Sequence, residues 1–199
     1  MKRSSTFIIT GLILVAIMLG SCFLLDNYEL DVVVHKDGSY DFSYDGELNY
    51  VPALEAVIEG TFTEKIAGEL KEIIEEMKES DEYESVKDLG KGKIKVQIEK
   101  SLDDGSDYYF LDKDFKFYSF VNNDEGEFTI AGFEVDEDGK KGLKNLNLKL
   151  KGKLTVQVEK GLKVKSHNAD KKKKIDKKTM VYSWDLDLNS EKPEMLIKK

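Results

Sequence analysis

The chain has little of what most catalytic or covalently stapled proteins depend on. It carries one cysteine, Cys22, in 199 residues. A single thiol excludes an intramolecular disulfide, so even in an oxidising compartment the fold must rest on its core. There are two prolines and a 35% charged fraction, which exclude a proline-rich linker and fit one soluble domain of ordinary size. The two histidines, His35 and His167, belong to no HExxH helix, and neither a serine-nucleophile elbow nor a glycine-rich phosphate loop occurs. A lone histidine beside a turn reads as solvated. With so little catalytic inventory, the chain reads as a non-enzyme.

A basic excess is missing as well. The net charge is −8, and because Lys2 and Arg3 are the only charged residues before Cys22, the remainder carries 29 basic against 39 acidic side chains. That balance excludes a general nucleic-acid binder, which needs a basic face to neutralise phosphates. Acidic residues also fail to make a convincing metal loop. Glu134-Val135-Asp136-Glu137-Asp138-Gly139 opens like a calcium loop, but its twelfth position is Asn145 where a bidentate glutamate is required. It reads as a plain acidic turn, and no metal or cofactor is expected.

What is present begins at the N-terminus. Met-Lys-Arg-Ser-Ser-Thr precedes an apolar run from Phe7 to Leu19, which ends Leu19-Gly20-Ser21-Cys22. A short cationic head, an apolar stretch and small residues make a secretory signal. The cysteine after the two small residues resembles the lipobox of bacterial lipoproteins, with Leu19, Gly20 and Ser21 as the signal-peptidase recognition residues. Cys22 is then expected to carry diacylglycerol and an N-acyl chain. The competing reading is an uncleaved anchor from Phe7 to Leu25; either one exports the body and tethers it. Phe23, rather than aspartate, follows the cysteine. By resemblance to lipoprotein sorting, this points to the outer membrane in a host with two membranes.

Beyond the cysteine, apolar periodicity sets the elements. Tyr28, Leu30, Val32 and Val34 alternate with polar positions, Asp37-Gly38 supplies a turn, and Tyr40, Phe42, Tyr44, Leu48 and Tyr50 resume the alternation. The pattern predicts a hairpin whose second strand carries an aromatic row that needs a covering layer. Pro52 predicts a first helical piece over 53–59. Phe62, Ile66, Leu70, Ile73, Ile74 and Met77 predict an amphipathic helix with an acidic outer face, suited to covering the row. Further strands are predicted at 94–98, 115–121, 127–135 and 180–188, and one long strand at 146–158, bent or bulged at Gly152.

One stretch occurs nearly twice. Lys-Gly-Lys-Ile-Lys-Val-Gln-Ile-Glu-Lys at 91–100 returns as Lys-Gly-Lys-Leu-Thr-Val-Gln-Val-Glu-Lys at 151–160. A helix precedes the first copy and a strand the second, whereas a duplication should repeat its neighbours too. The repeat reads as one strand solution used twice. The strongest charge asymmetry lies just beyond, where nine lysines between Lys160 and Lys178 face only Asp170 and Asp176. Lys171, Lys172, Lys173, Lys174, Lys177 and Lys178 are candidate headgroup contacts, because lysines near an anionic bilayer contribute about 1 kcal/mol each within a Debye length. The competing reading is a solvated hairpin tip. Lysine without arginine favours nonspecific charge over bidentate recognition.

The order of these features resembles bacterial lipoproteins carrying an LppM-type domain. The matching residues are the Leu-Gly-Ser-Cys box, the Asp37-Gly38 hairpin and its following helix, Gly152-Lys-Leu-Thr-Val and Val164-Lys-Ser-His-Asn-Ala. They continue with Tyr182-Ser-Trp184 and Pro193-Glu-Met-Leu-Ile. The resemblance implies an extracytoplasmic α+β domain, mainly antiparallel sheet curved around one or two amphipathic helices, likened to lipid-binding proteins and without established enzymatic activity.

The expected organisation is a signal peptide over 1–21, a lipidated N-terminus and short tether over 22–27, and one extracytoplasmic domain over 28–199. Two functions are expected from this. One is a lipid-anchored module binding lipid or another amphiphile, with Tyr40, Phe42, Tyr44, Tyr50 and Trp184 as a candidate apolar groove. The other is an envelope interaction protein that docks a protein partner through its acidic helix or strand edges. An open cavity of several hundred Å³ favours the first and a closed core under the aromatic row the second.

Overall fold

The computed structural model describes residues 23–111, 117–123 and 125–199. In chain order the first half holds β1 (Phe23–Val34), β2 (Tyr40–Tyr50), α1 (Val51–Glu59), α2 (Glu64–Glu79), β3 (Ser85–Gly90), β4 (Lys93–Leu102) and β5 (Tyr108–Phe110). The second half holds β6 (Tyr118–Asn122), β7 (Glu127–Gly132), α3 (Glu137–Asn145), β8 (Gly152–Glu159), β9 (Lys163–His167), β10 (Lys171–Lys174), β11 (Thr179–Leu186) and β12 (Glu194–Lys198). The strands form two sheets, ordered β10-β11-β8-β1-β2-β4-β3 and β5-β6-β7-β12-β9. The fold is α+β and mostly antiparallel, as expected; β1 and β8 run parallel.

The β1–β2 hairpin forms the middle of the larger sheet because both of its strands alternate cleanly. Pairing carries that alternation outward, so Ile98, Tyr44, Leu30, Leu154 and Trp184 stand in one row across five strands, all buried. The repeated stretch supplies β4 and β8, which flank the hairpin and run in the direction of β1. The two copies are not equivalent. Gly92 sits in a turn at φ +85°, where a Cβ would meet Ala53. Gly152 lies in extended strand under the Tyr28 ring, which occupies the place where a Cβ would stand. One glycine answers a backbone demand and the other a packing demand.

The layer over the aromatic row differs from expectation. Tyr40 packs on Phe120 and Phe128, Phe42 on Phe110 and Phe120, and Tyr44 on Phe110, with ring centroids 4.7–6.0 Å apart. The second sheet covers the row. Helix α2 instead buries Leu70, Ile74 and Met77 beside β3, and its glutamates face solvent. Its N-cap is Thr63, whose hydroxyl accepts the Ile66 N–H, so Phe62 precedes the helix and stays exposed. In α1, Pro52 stands in the first turn and Gly60 ends the helix at φ +70°, as its freedom from a Cβ permits.

Three further expectations are corrected. The residues assigned to a tether after Cys22 form the first part of β1, because Leu24 and Leu25 are fully buried and bind the chain to the sheet. The acidic turn is the start of helix α3, where the Asp136 carboxylate caps the N–H of Gly139 at 2.7 Å. The long strand at 146–158 begins only at Gly152. Leu146, Leu148 and Leu150 are buried as alternation suggested, but in irregular chain with Asn147 and Leu150 at positive φ.

Candidate functional site

The candidate apolar groove does not form. Tyr40, Phe42 and Tyr44 are at most 1% exposed beneath the second sheet, which fills the space a ligand would need. Trp184 is core as well, with its indole N–H donating to Asn168 Oδ1 at 2.8 Å. Tyr50 lies at the end of β2, its ring 5.5 Å from that of Phe23. Cys22, Leu19, Gly20 and Ser21 lie outside the described residues.

The lysines, by contrast, are organised. Residues 171–174 form an edge strand, and antiparallel pairing places Lys172 opposite Tyr182 and Lys174 opposite Met180. Because strand side chains alternate, Lys172 and Lys174 share the face of those two residues while Lys171 and Lys173 take the other. Lys171 accordingly pairs with Asp185 at 2.6 Å on the outer face. Lys172 extends over the Tyr182 ring, its Nζ 5.0 Å from the centroid, a cation–π contact.

An open cleft of about 430 Å³ lies at this end of the molecule. It runs between β9, the edge of one sheet, and β10, the edge of the other. Val158, Leu162, Val164, Met180 and Tyr182 form its apolar floor, and Lys160, Lys163, Lys172, Lys174, Lys177 and Lys178 surround it. None of these six lysines has a carboxylate partner among the described residues, and Glu159 is the only lining carboxylate. Asp176 is turned back into its own loop, accepting the N–H groups of Lys178 and Thr179. Lys160 and Lys163 are missing from the six lysines predicted as headgroup contacts. The lysine count from Lys160 onward was the signal that could have included them.

Glu159 is already engaged. His35, at the end of β1, directs Nε2 to Asp41 at 2.9 Å and Nδ1 to Glu159 at 3.4 Å, and the Lys36 N–H donates to Glu159 at 3.0 Å. Both ring nitrogens face carboxylates, so both contacts are hydrogen bonds only when the ring is an imidazolium. The Asp41 bond raises the pKa of His35 above its ordinary range, against partial burial and with help from Glu159. Hydrogen bonds hold both carboxylates low: Asp41 chiefly through Ser101 and then His35, Glu159 chiefly through the Lys36 N–H and then His35. His35 is therefore a clamp joining β1, β2 and β8, not a solvated side chain. The clamp leaves the cleft strongly cationic.

The cleft lies at the Val34 end of the larger sheet, since Val158 pairs with Val34 and Lys160 N–H donates to the Lys178 carbonyl. Phe23 begins the opposite end, about 35 Å away for a strand of this length. No group of three or more His, Cys, Asp or Glu among the described residues is placed to hold a metal ion. No described helix is long and apolar enough to cross a membrane.

No family model matches the chain. No curated protein matches it either. Among solved structures it is similar to the NMR structure of the folded domain of LppM from Mycobacterium tuberculosis, at 10% identity and a TM-score of 0.37, covering 87% of this chain and 89% of that one. The likeness is distant and at the level of the fold.

Proposed function

We propose that this chain is a membrane-anchored extracytoplasmic binding module, without enzymatic activity, that takes an anionic amphiphile in the lysine cleft. The observation that carries the reading is the convergence of six lysines without carboxylate partners on one open, apolar-floored cleft of about 430 Å³. Ammonium groups on flexible stems attract phosphate or carboxylate as point charges, and the floor accommodates a short apolar portion. The Cys22 anchor rests on the signal and lipobox pattern at the N-terminus. It gains support from β1: Phe23, Leu24 and Leu25 belong to the sheet, which shortens the apolar run to Phe7–Cys22, below the roughly 20 residues of a spanning helix.

The second reading, a protein-docking lipoprotein, is favoured by the closed aromatic core and by the exposed acidic face of α2. The two part company in one titration. The domain beginning at Phe23 contains every described element, so it can be titrated with lysophosphatidylglycerol and with lysophosphatidylcholine below their micelle concentrations. The expected result is salt-sensitive binding of the anionic lipid, weakened about ten-fold or more in Lys172→Glu/Lys174→Glu. Equal binding of both lipids, or of neither, overturns the amphiphile reading.

A further inference from the structure

We infer that the end of the domain opposite the cleft sits directly on the bilayer that holds the anchor, with Ile58, Phe62 and Leu89 at the boundary of headgroups and acyl chains. The described residues include four large apolar side chains that are well exposed: Ile58 at 54%, Phe62 at 38%, Leu89 at 45% and Ile175 at 58%. Three of the four gather at the Phe23 end. Phe23 pairs with Tyr50, the Tyr50 N–H donates to Gly92, and Gly92 packs on Ala53 and Leu54 in the first turns of α1. Leu89 lies at the end of β3, where the register with β4 shifts just before the turn that Gly92 closes, and Ile58 follows within the same short helix. Phe62 joins them because α2 packs beside β3 and ends near Lys100, where Glu82 pairs at 3.3 Å. A helix of 16 residues rises about 24 Å, nearly the length of β4 from Lys100 back to Lys93, so α2 starts level with the Gly90–Gly92 turn.

The occupant follows from the chain that leads into this patch. Cys22 directly precedes Phe23, and β1 begins without a spacer. Whatever holds Cys22 at a membrane therefore holds this end within a few ångströms of it. The charges here nearly balance, with Lys65, Lys87 and Lys91 against Glu59, Glu64 and Asp88, all exposed. The contact is therefore apolar and shallow, and zwitterionic lipid suffices. The inference takes the anchor from the reading above and sharpens it. A cleft about 35 Å from the bilayer, several Debye lengths, meets ligands from the far side and not the headgroups of its own membrane.

The test uses the full chain, produced with its acyl groups and reconstituted in phosphatidylcholine vesicles containing doxyl-labelled phosphatidylcholine. Ile58→Cys, Phe62→Cys, Leu89→Cys and Ile175→Cys each introduce one exposed thiol for an environment-sensitive fluorophore. An acylated Cys22 takes up no label. The expected result is an unlabelled wild-type chain, quenching of about two-fold at positions 58, 62 and 89, and none at 175. An unlabelled wild type with no quenching at the three positions, or with equal quenching at 175, overturns the seat and leaves the anchor standing. A labelled wild type shows a free Cys22 thiol and overturns both.

Discussion

The hydroxyls of Tyr28 and Tyr118 meet at 2.8 Å in the interior, one from each sheet. Burial pushes the Tyr28 phenol up to about 12 and that of Tyr118 well above its ordinary value, so both stay protonated and one donates to the other. This is a polar bond joining the two sheets where most of the contact is aromatic. Tyr28→Phe or Tyr118→Phe leaves the other hydroxyl buried and unpaired, at an expected cost of about 1–3 kcal/mol each in urea unfolding. The double variant removes both groups, so its cost should fall below the sum of the singles. Strict additivity would show that the bond does not couple the sheets.

The inclusion of Leu24 and Leu25 in β1 makes its own prediction. Leu24 and Leu25 are fully buried, and burying a leucine side chain contributes about 1.5–3 kcal/mol. A domain starting at Asp26 should be several kcal/mol less stable than one starting at Phe23, read as a lower urea midpoint at an unchanged slope. Equal midpoints would place these leucines outside the cooperative core.

The His35 clamp makes stability depend on pH in a defined direction. Its folded pKa is raised, so its contribution is complete below the ordinary histidine value of 6.5 and is lost as pH climbs through the raised value. The lowered pKa values of Asp41 and Glu159 act at the acid edge, where stability falls as those carboxylates protonate. His167 shifts the other way, because partial burial and then Lys172 disfavour its charged form, so the effect of His35 has to be read as a difference. The stability gap between wild type and His35→Gln should shrink from pH 6 to pH 9. A gap independent of pH would remove the imidazolium from the account.

Asn168 ties three segments together. Its Oδ1 accepts from the Trp184 indole and from the Glu194 N–H, each at 2.8 Å, and its Nδ2 donates to the Lys192 carbonyl at 2.8 Å. Asn168→Ala removes the acceptor of a part-buried indole N–H and opens it to water, with an expected loss of about 0.5–1.5 kcal/mol. Trp184 is the only tryptophan, so its emission reports the site. A red shift is expected in the folded variant, and an unchanged spectrum with unchanged stability would contradict the role.

Asn168 also shows what a pattern can hold without explaining it. Asn168, Trp184 and Pro193-Glu194 carried the family resemblance as separate short signals, and in space they are one hydrogen-bonded knot. The β1–β2 hairpin, α1, α2 and the apolar face of β11 were readable because local periodicity determines which face is apolar. Helix α3 was not, since only Leu143 and Gly142 are buried in nine residues and the stripe is too thin to show a period. Leu146, Leu148 and Leu150 alternate like a strand, yet they lie in irregular chain.

The sequence alone determined which residues are apolar on one face and where the chain turns, because those follow from neighbours a few positions apart. Only the tertiary structure decided that a second sheet covers the aromatic row and that β10 divides its lysines between cleft and outer face. It also decided that the cleft and Phe23 stand at opposite ends. Those outcomes depend on which distant strands pair and in what register, and alternation, satisfied equally by many partners, does not choose among them.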